Sequence, residues 1–137
     1  MKKVVNCICL IVLIIISLIA MWVSVLPHIT RSLSPLGKPE AKIRETILEF
    51  TPLGMSMDEV INMIESNKKW KIDFINYDFG YVSHDSGLNP TVIGKKTINA
   101  YIGSYVDFWK VYVNATWAFD ENSKLIDVFV EKSKAAL

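Results

Sequence analysis

The sequence predicts an α+β domain carried behind an N-terminal transmembrane helix. Three observations predict it. Val4 to Leu26 is a run of 23 residues with no charge and no proline. Two stretches with helical apolar spacing come next. After Trp70 the apolar period changes from about 3.6 to a rough alternation near 2. The expected architecture is a transmembrane helix, then two helices packed on one face of an antiparallel sheet of about four strands. The chain divides accordingly into an anchor over 1–26, a juxtamembrane linker over 27–39 and a domain over 40–137.

The apolar run, as a helix, would reach about 35 Å and could cross a hydrocarbon core of roughly 30 Å. Lys2 and Lys3 precede it, as in a secretory signal. It is longer than the apolar core of a signal peptide, and cleavage after Ala20 or Ser24 would set Leu18 or Trp22 where a small residue is required. The expectation is an uncleaved single-pass anchor, with Trp22 near one interface. Arg31, Lys38, Lys42 and Arg44 lie beyond the run and nearly balance the leading lysines. A short leading tail favours export of the downstream chain, so the domain is expected outside the cytoplasmic membrane.

Pro27 to Pro39 holds three prolines, a glycine and several hydroxyl residues, all of which oppose regular structure. It reads as a linker, with His28 isolated in it. Pro39-Glu40 opens a helix in which Ile43, Ile47 and Phe50 share a face. Thr51-Pro52-Leu53-Gly54 ends it. Ser56-Met57-Asp58-Glu59 is a capping box, and Met57, Val60, Ile61 and Ile64 form the apolar stripe of a second helix that ends near Ser66-Asn67. A strand is expected from Lys71 to Val82, with a slip of alternation around Ile75 to Phe79. Ser83 to Lys95 reads as a loop. A second strand covers Thr97 to Tyr105, weakened by Gly103. A third, Trp109 to Phe119, puts Trp109, Val111, Val113, Ala115, Trp117 and Phe119 on one face. Asp120 to Ser123 is a turn. Leu125 to Glu131 is the last strand, with Ile126, Val128 and Val130 facing in and a frayed tail behind it.

Composition excludes several classes of function. Subtracting Lys2 and Lys3 from 15 basic residues leaves 13 against 14 acidic ones, which gives no electrostatic footprint for nucleic acid. Cys7 and Cys9 both lie inside the apolar run, so the domain has no thiol or disulfide. His84-Asp85-Ser86 holds the residue types of a hydrolytic triad, but adjacent residues do not converge as a triad does. No glycine-rich phosphate loop and no metal-ligand spacing occurs. Asn114-Ala115-Thr116 is a glycosylation sequon inside an expected strand. No cofactor, metal, catalytic residue or small-molecule substrate is expected.

Alternation also collects an outward face: Tyr101, Tyr105, Tyr112, Asn114, Thr116 and Phe129, joined by Tyr77 and Tyr81 if a bulge intervenes. Tyrosine combines a large ring with a polar tip and is enriched at interfaces. This face is the candidate site for a protein partner. Tyrosine and threonine are also good strand formers that decorate solvent faces, and that bland reading stands beside it.

Pro52-Leu53-Gly54-Met55-Ser56 followed by Glu59-Val60 resembles the helix opening of the SmpA/OmlA family of outer-membrane assembly lipoproteins. Trp117 to Ile126 is similar to that family's closing hairpin, and the β-lactamase inhibitor proteins share the helix-helix-sheet unit. The resemblance covers roughly 43–132. The Gly-x-Pro that usually ends the family's second helix is replaced here by Ser66-Asn67-Lys68, and there is no lipobox. The resemblance implies a non-enzymatic, extracytoplasmic, protein-binding module of the bacterial envelope, with another envelope or secreted protein as partner. The alternative is an inhibitor or immunity protein that blocks a secreted enzyme or toxin.

Overall fold

The computed structural model describes residues 2–83 and 90–135, with side chains in the first helix described at 11–25 and 29. The elements are α1 (Lys2–Leu33), a 3-10 turn (Pro35–Gly37), α2 (Glu40–Phe50), α3 (Met57–Ser66), β1 (Lys71–Asn76), β2 (Tyr81–Ser83), β3 (Thr91–Ile93), β4 (Lys96–Asp107), β5 (Trp109–Phe119) and β6 (Leu125–Lys134). The main sheet is antiparallel with order β1-β4-β5-β6, and β2 and β3 form a separate two-stranded ribbon. The α+β class is as expected.

α1 continues past Pro27 to Leu33, where the sequence suggests a linker without regular structure. One proline removes a single backbone donor, and the helix absorbs the loss. Among the described residues no helix is long and apolar enough to cross a membrane.

The core lies between the sheet and the α2–α3 pair. Ile43 and Ile47 of α2 and Met57, Val60 and Ile64 of α3 bury against Ile98, Ala100, Val113, Ala115, Phe119, Leu125 and Val128. Trp117 is fully buried at the centre. Its indole N–H donates to Thr51 Oγ1 at 3.0 Å, and that hydroxyl donates to the Ile47 carbonyl at 3.0 Å. Buried indole and hydroxyl groups are costly unless paired, and here each satisfies the other. Trp70 leans on Trp117 with ring centroids 6.0 Å apart, and Phe50 meets Trp70 edge-on at 6.5 Å.

The α2–α3 connection is held by backbone. The Gly54 N–H donates to the Leu125 carbonyl at 2.8 Å, the Leu125 N–H to Met55 at 2.8 Å, and the Met57 N–H to Ser123 at 2.9 Å. The connection thus extends the start of β6. Arg44 of α2 covers the β6 edge, donating to the Val128 carbonyl at 2.9 Å and pairing with Asp127 at 2.5 Å. An edge strand covered in this way is a poor template for another chain.

Bulges at three places change the expected faces. Between Tyr101 and Gly103 the register of β4 on β5 slips by one, and Gly103 takes φ +146. Tyr105, expected outward, therefore pairs with Val111 and is buried on the inner face. Between Ala118 and Phe119 the pairing with β6 slips, so Phe119 faces Leu125 and Ala118 faces Asp127. Ile126 is the extra residue and is exposed, not inward. The third bulge falls at Asp73, between Ile72 and Phe74.

The strand expected over Lys71 to Val82 is broken at Asn76, whose Oδ1 accepts from the N–H groups of Asp78 and Phe79 at 2.9 and 3.0 Å. That side-chain turn separates β1 from β2. Gly80 then passes so close to the Gly94 backbone that a Cβ there would collide with its carbonyl. The expected loop holds β3, and β6 runs on to Lys134, beyond its expected end at Glu131. Trp109 sits exposed at the hairpin tip instead of in the core.

The capping box forms as expected. Ser56 Oγ accepts from the Glu59 N–H, and the Glu59 carboxylate accepts from the Ser56 hydroxyl at 2.6 Å and N–H at 2.8 Å. The hydroxyl first, then the backbone N–H, holds the Glu59 carboxyl below its usual value. A lowered folded-state pKa stabilises above the unfolded value, and that stability is lost as pH falls through the folded one. Glu59→Gln should therefore flatten this part of the acid limb, seen as a shallower fall of Tm with pH below the ordinary carboxyl range. Thr51→Val keeps the shape but strands the Trp117 N–H, and should cost roughly 1–3 kcal/mol in urea unfolding.

Candidate functional site

The outer face of the sheet is built from residues that pair across it. Tyr101 lies opposite Asn114, Asn99 opposite Thr116, Ser104 opposite Tyr112, and Phe129 opposite Thr116 on the other side. The face divides in two because the β2–β3 ribbon folds over one end. Tyr81 stacks on Phe129 with centroids 4.1 Å apart and rings inclined by 14°. Its hydroxyl donates to Glu131 Oε1 at 2.7 Å. Thr97 Oγ1 donates to the Phe79 carbonyl at 3.3 Å. Beneath the ribbon Thr97, Thr116 and Ala118 are buried, and Asn99 Nδ2 donates to Thr116 Oγ1 at 2.7 Å.

The other end stays open. Lys71, Asp73, Tyr101, Tyr112, Asn114 and Ser133 surround a shallow depression there. The Tyr101 and Tyr112 rings lie 6.3 Å apart at 60°, and Lys110 Nζ sits 4.9 Å from the centre of the Tyr112 ring. Aromatic faces beside a cation, an amide and a carboxylate can bury apolar area and fix orientation at the same time.

Of the eight residues the sequence nominates, the structure brings three together here, Tyr101, Tyr112 and Asn114, while Thr116 is buried beneath the ribbon and Tyr81 belongs to the ribbon itself. Phe129 is on the same face but lies under Tyr81. Tyr77 is exposed in the connection between β1 and β2 and belongs to neither sheet. Tyr105 is on the opposite face, with Lys132 Nζ 5.2 Å from its ring centre. Lys71, Asp73 and Ser133 join the site unannounced. Asp73 enters because it is the bulge residue of β1, and Ser133 because β6 continues past Glu131. His84-Asp85-Ser86 lies outside the described residues. Among the described residues no cluster of His, Cys, Asp or Glu has the makings of a metal site.

The chain matches no known protein-family model, no curated protein and no solved structure.

Phe129→Ala removes the surface on which the ribbon rests. Amide exchange should speed up in β2 and β3 while β4 and β5 stay protected, since opening is local to the lost contact.

Proposed function

We propose that this chain is a membrane-anchored, non-enzymatic binding module whose domain faces the outside of the cytoplasmic membrane and takes a protein partner on the open half of its outer sheet face. One observation supports the anchor above all. Every side chain of α1 from Ile11 to Val25 is exposed, while the domain completes its core without them. About 20 Å of bare apolar helix in water is an aggregation hazard, and a bilayer removes it. The polar groups on this stretch are already satisfied: Ser17 Oγ donates to the Ile14 carbonyl and Ser24 Oγ to the Ala20 carbonyl, each at 2.8 Å. That is how hydroxyls behave on helices in lipid. The full apolar run of Val4 to Leu26 supplies the length for a crossing.

The binding half of the reading rests on the uncovered pair Tyr101 and Tyr112, flanked by Lys71, Asp73 and Asn114. The ribbon covers Phe129, Thr97 and Thr116 at one end and leaves tyrosines, a typical hot-spot residue, at the other. A likeness to SmpA/OmlA-type envelope modules fits this reading.

Two measurements test it. Glu121→Cys, at the exposed β5–β6 turn, in a Cys7→Ser, Cys9→Ser background should react with a membrane-impermeant thiol reagent in intact cells that admit it to the envelope. Reaction only after lysis would place the domain in the cytoplasm. Tyr101→Ala and Tyr112→Ala should each weaken partner capture roughly tenfold or more. The same substitutions should change folding stability by only about 1 kcal/mol or less. Undiminished capture by both would remove this face as the site. A captured enzyme silenced in a one-to-one complex would make the module an inhibitor.

A further inference from the structure

One row of the outer sheet face runs from ring to ring. Phe74 of β1 lies opposite Asn99, Asn99 opposite Thr116, and Thr116 opposite Phe129. The row is aromatic at both ends and polar in the middle, where Asn99 Nδ2 donates to Thr116 Oγ1 at 2.7 Å. The ribbon covers the far end, with Tyr81 stacked on Phe129. A cavity of about 340 Å³ is left beside it, lined by the aromatic residues Phe74, Phe79 and Tyr81 and the polar residues Asn99, Thr116 and Glu131. That is the small end of the range for ligand pockets and suits one inserted side chain.

The chemistry of the lining is one-sided. Glu131 Oε1 accepts from the Tyr81 hydroxyl at 2.7 Å, which orients the carboxylate and leaves Oε2 able to accept more. Asn99 gives an amide hydrogen to Thr116, and its Oδ1 is a further acceptor. Among the described residues that line the cavity none is a lysine or an arginine, and none of the printed ion pairs of the described residues engages Glu131. Phe74 and Phe79 are 55% and 50% exposed, so neither ring is committed to the core. Ring faces, a carboxylate and an amide oxygen all favour a cation that carries donors. A guanidinium meets each need: it is planar and stacks, it stays charged, and its fork reaches two acceptors at once. An ammonium supplies the charge without the plane. An acidic side chain would meet a like charge.

We infer that this cavity receives an arginine side chain of the protein bound on the open half of the sheet. Continuity with that half supports the source. Glu131 lies opposite Asn114, and Asn114 opposite Tyr101, so the carboxylate of the cavity stands in the same row as residues of the open depression. A partner seated on Tyr101 and Asn114 has its next side chain beside Glu131. The inference rests on the reading of this face as a binding surface, and adds the charge that the partner carries there.

The test uses the full chain, isotope-labelled in detergent micelles, with N-acetyl-arginine amide, N-acetyl-lysine amide and the neutral N-acetyl-citrulline amide as probes. The arginine probe should shift the amide resonances of Asn99, Thr116 and Glu131 saturably, the lysine probe should bind more weakly, and the citrulline probe should not shift them. Glu131→Gln keeps an oxygen for the Tyr81 hydroxyl and removes the charge. It should weaken the arginine probe and partner capture roughly tenfold each. Phe74→Ala, at an exposed ring, should weaken the probe as well. Tyr101→Ala should weaken capture and leave probe binding unchanged. Equal binding of the citrulline and arginine probes, or binding indifferent to both Glu131→Gln and Phe74→Ala, overturns the site. A lysine probe as tight as the arginine one overturns the choice of guanidinium. Capture that falls with Tyr101→Ala but not with Glu131→Gln overturns the arginine contact and keeps the face. Saturable probe binding with capture indifferent to Tyr101→Ala, Tyr112→Ala and Glu131→Gln makes the cavity a site for a free guanidinium compound, and overturns the partner as its source.

Discussion

The indole of Trp117 organises the domain. It is the largest side chain in the fully buried set, and its single donor is matched to Thr51 at the end of α2. Thr51 in turn donates its hydroxyl proton to the last turn of that helix. The helix terminus, the first residue of the α2–α3 connection and the C-terminal end of β5 are thus fixed to one another by two hydrogen bonds in a fully buried place. In such surroundings an unmatched polar group costs more than a matched one contributes, so the pair enforces position more than it adds stability. Trp70 and Phe50 extend the same aromatic stack outward, which carries the placement of α2 to the start of β1.

The connection between the helices gains from this placement. Once Thr51 is fixed, residues 54–57 run beside Ser123 and Leu125 and exchange backbone hydrogen bonds with them. α3 then starts from a capped position, with Asp58 and Glu59 at its positive end. The helix pair is therefore set on the sheet from both sides: by side chains in the core and by backbone at the rim. Arg44 adds a third tie at the β6 edge, donating both to a carbonyl and to a carboxylate.

Much of this was legible in the sequence, and the misplaced faces of Tyr105 and Ile126 share one cause. The capping box, the pair Ile43–Ile47, the triplet Met57–Val60–Ile64 and the alternation of β5 from Val111 onward are local patterns that appear where their residues place them, whereas Phe50 and Trp109, at the ends of their elements, are exposed. Parity along β4 and β6 is not local. A bulge adds one residue and turns every later side chain to the other face. Gly103 marks a weak point, but nothing in a single strand says that Tyr105 must turn inward behind it. Ile126 fails for the same reason. The β2–β3 ribbon was not legible because three residues in each strand are too few to show a period. Its cover over Phe129 depends on Tyr81 meeting a strand 50 residues away. Tyr101, Tyr112 and Asn114 survive as neighbours because Tyr101 lies before the β4 bulge, in register with an undistorted part of β5.

The Thr51–Trp117 pair spans 66 residues of chain. The core is closed by contacts between α2, α3 and the last strands, so neither half can complete itself alone. A chain emerging in order from a ribosome or a translocation channel would carry α2 and α3 with no surface to bury them until β5 and β6 appear. Long-range closure of this kind is slow, and until it is complete the apolar faces of both helices stay uncovered. Completion of the domain is therefore an event of the last strands: a chain cut short before Leu125 holds every helix and no closed core.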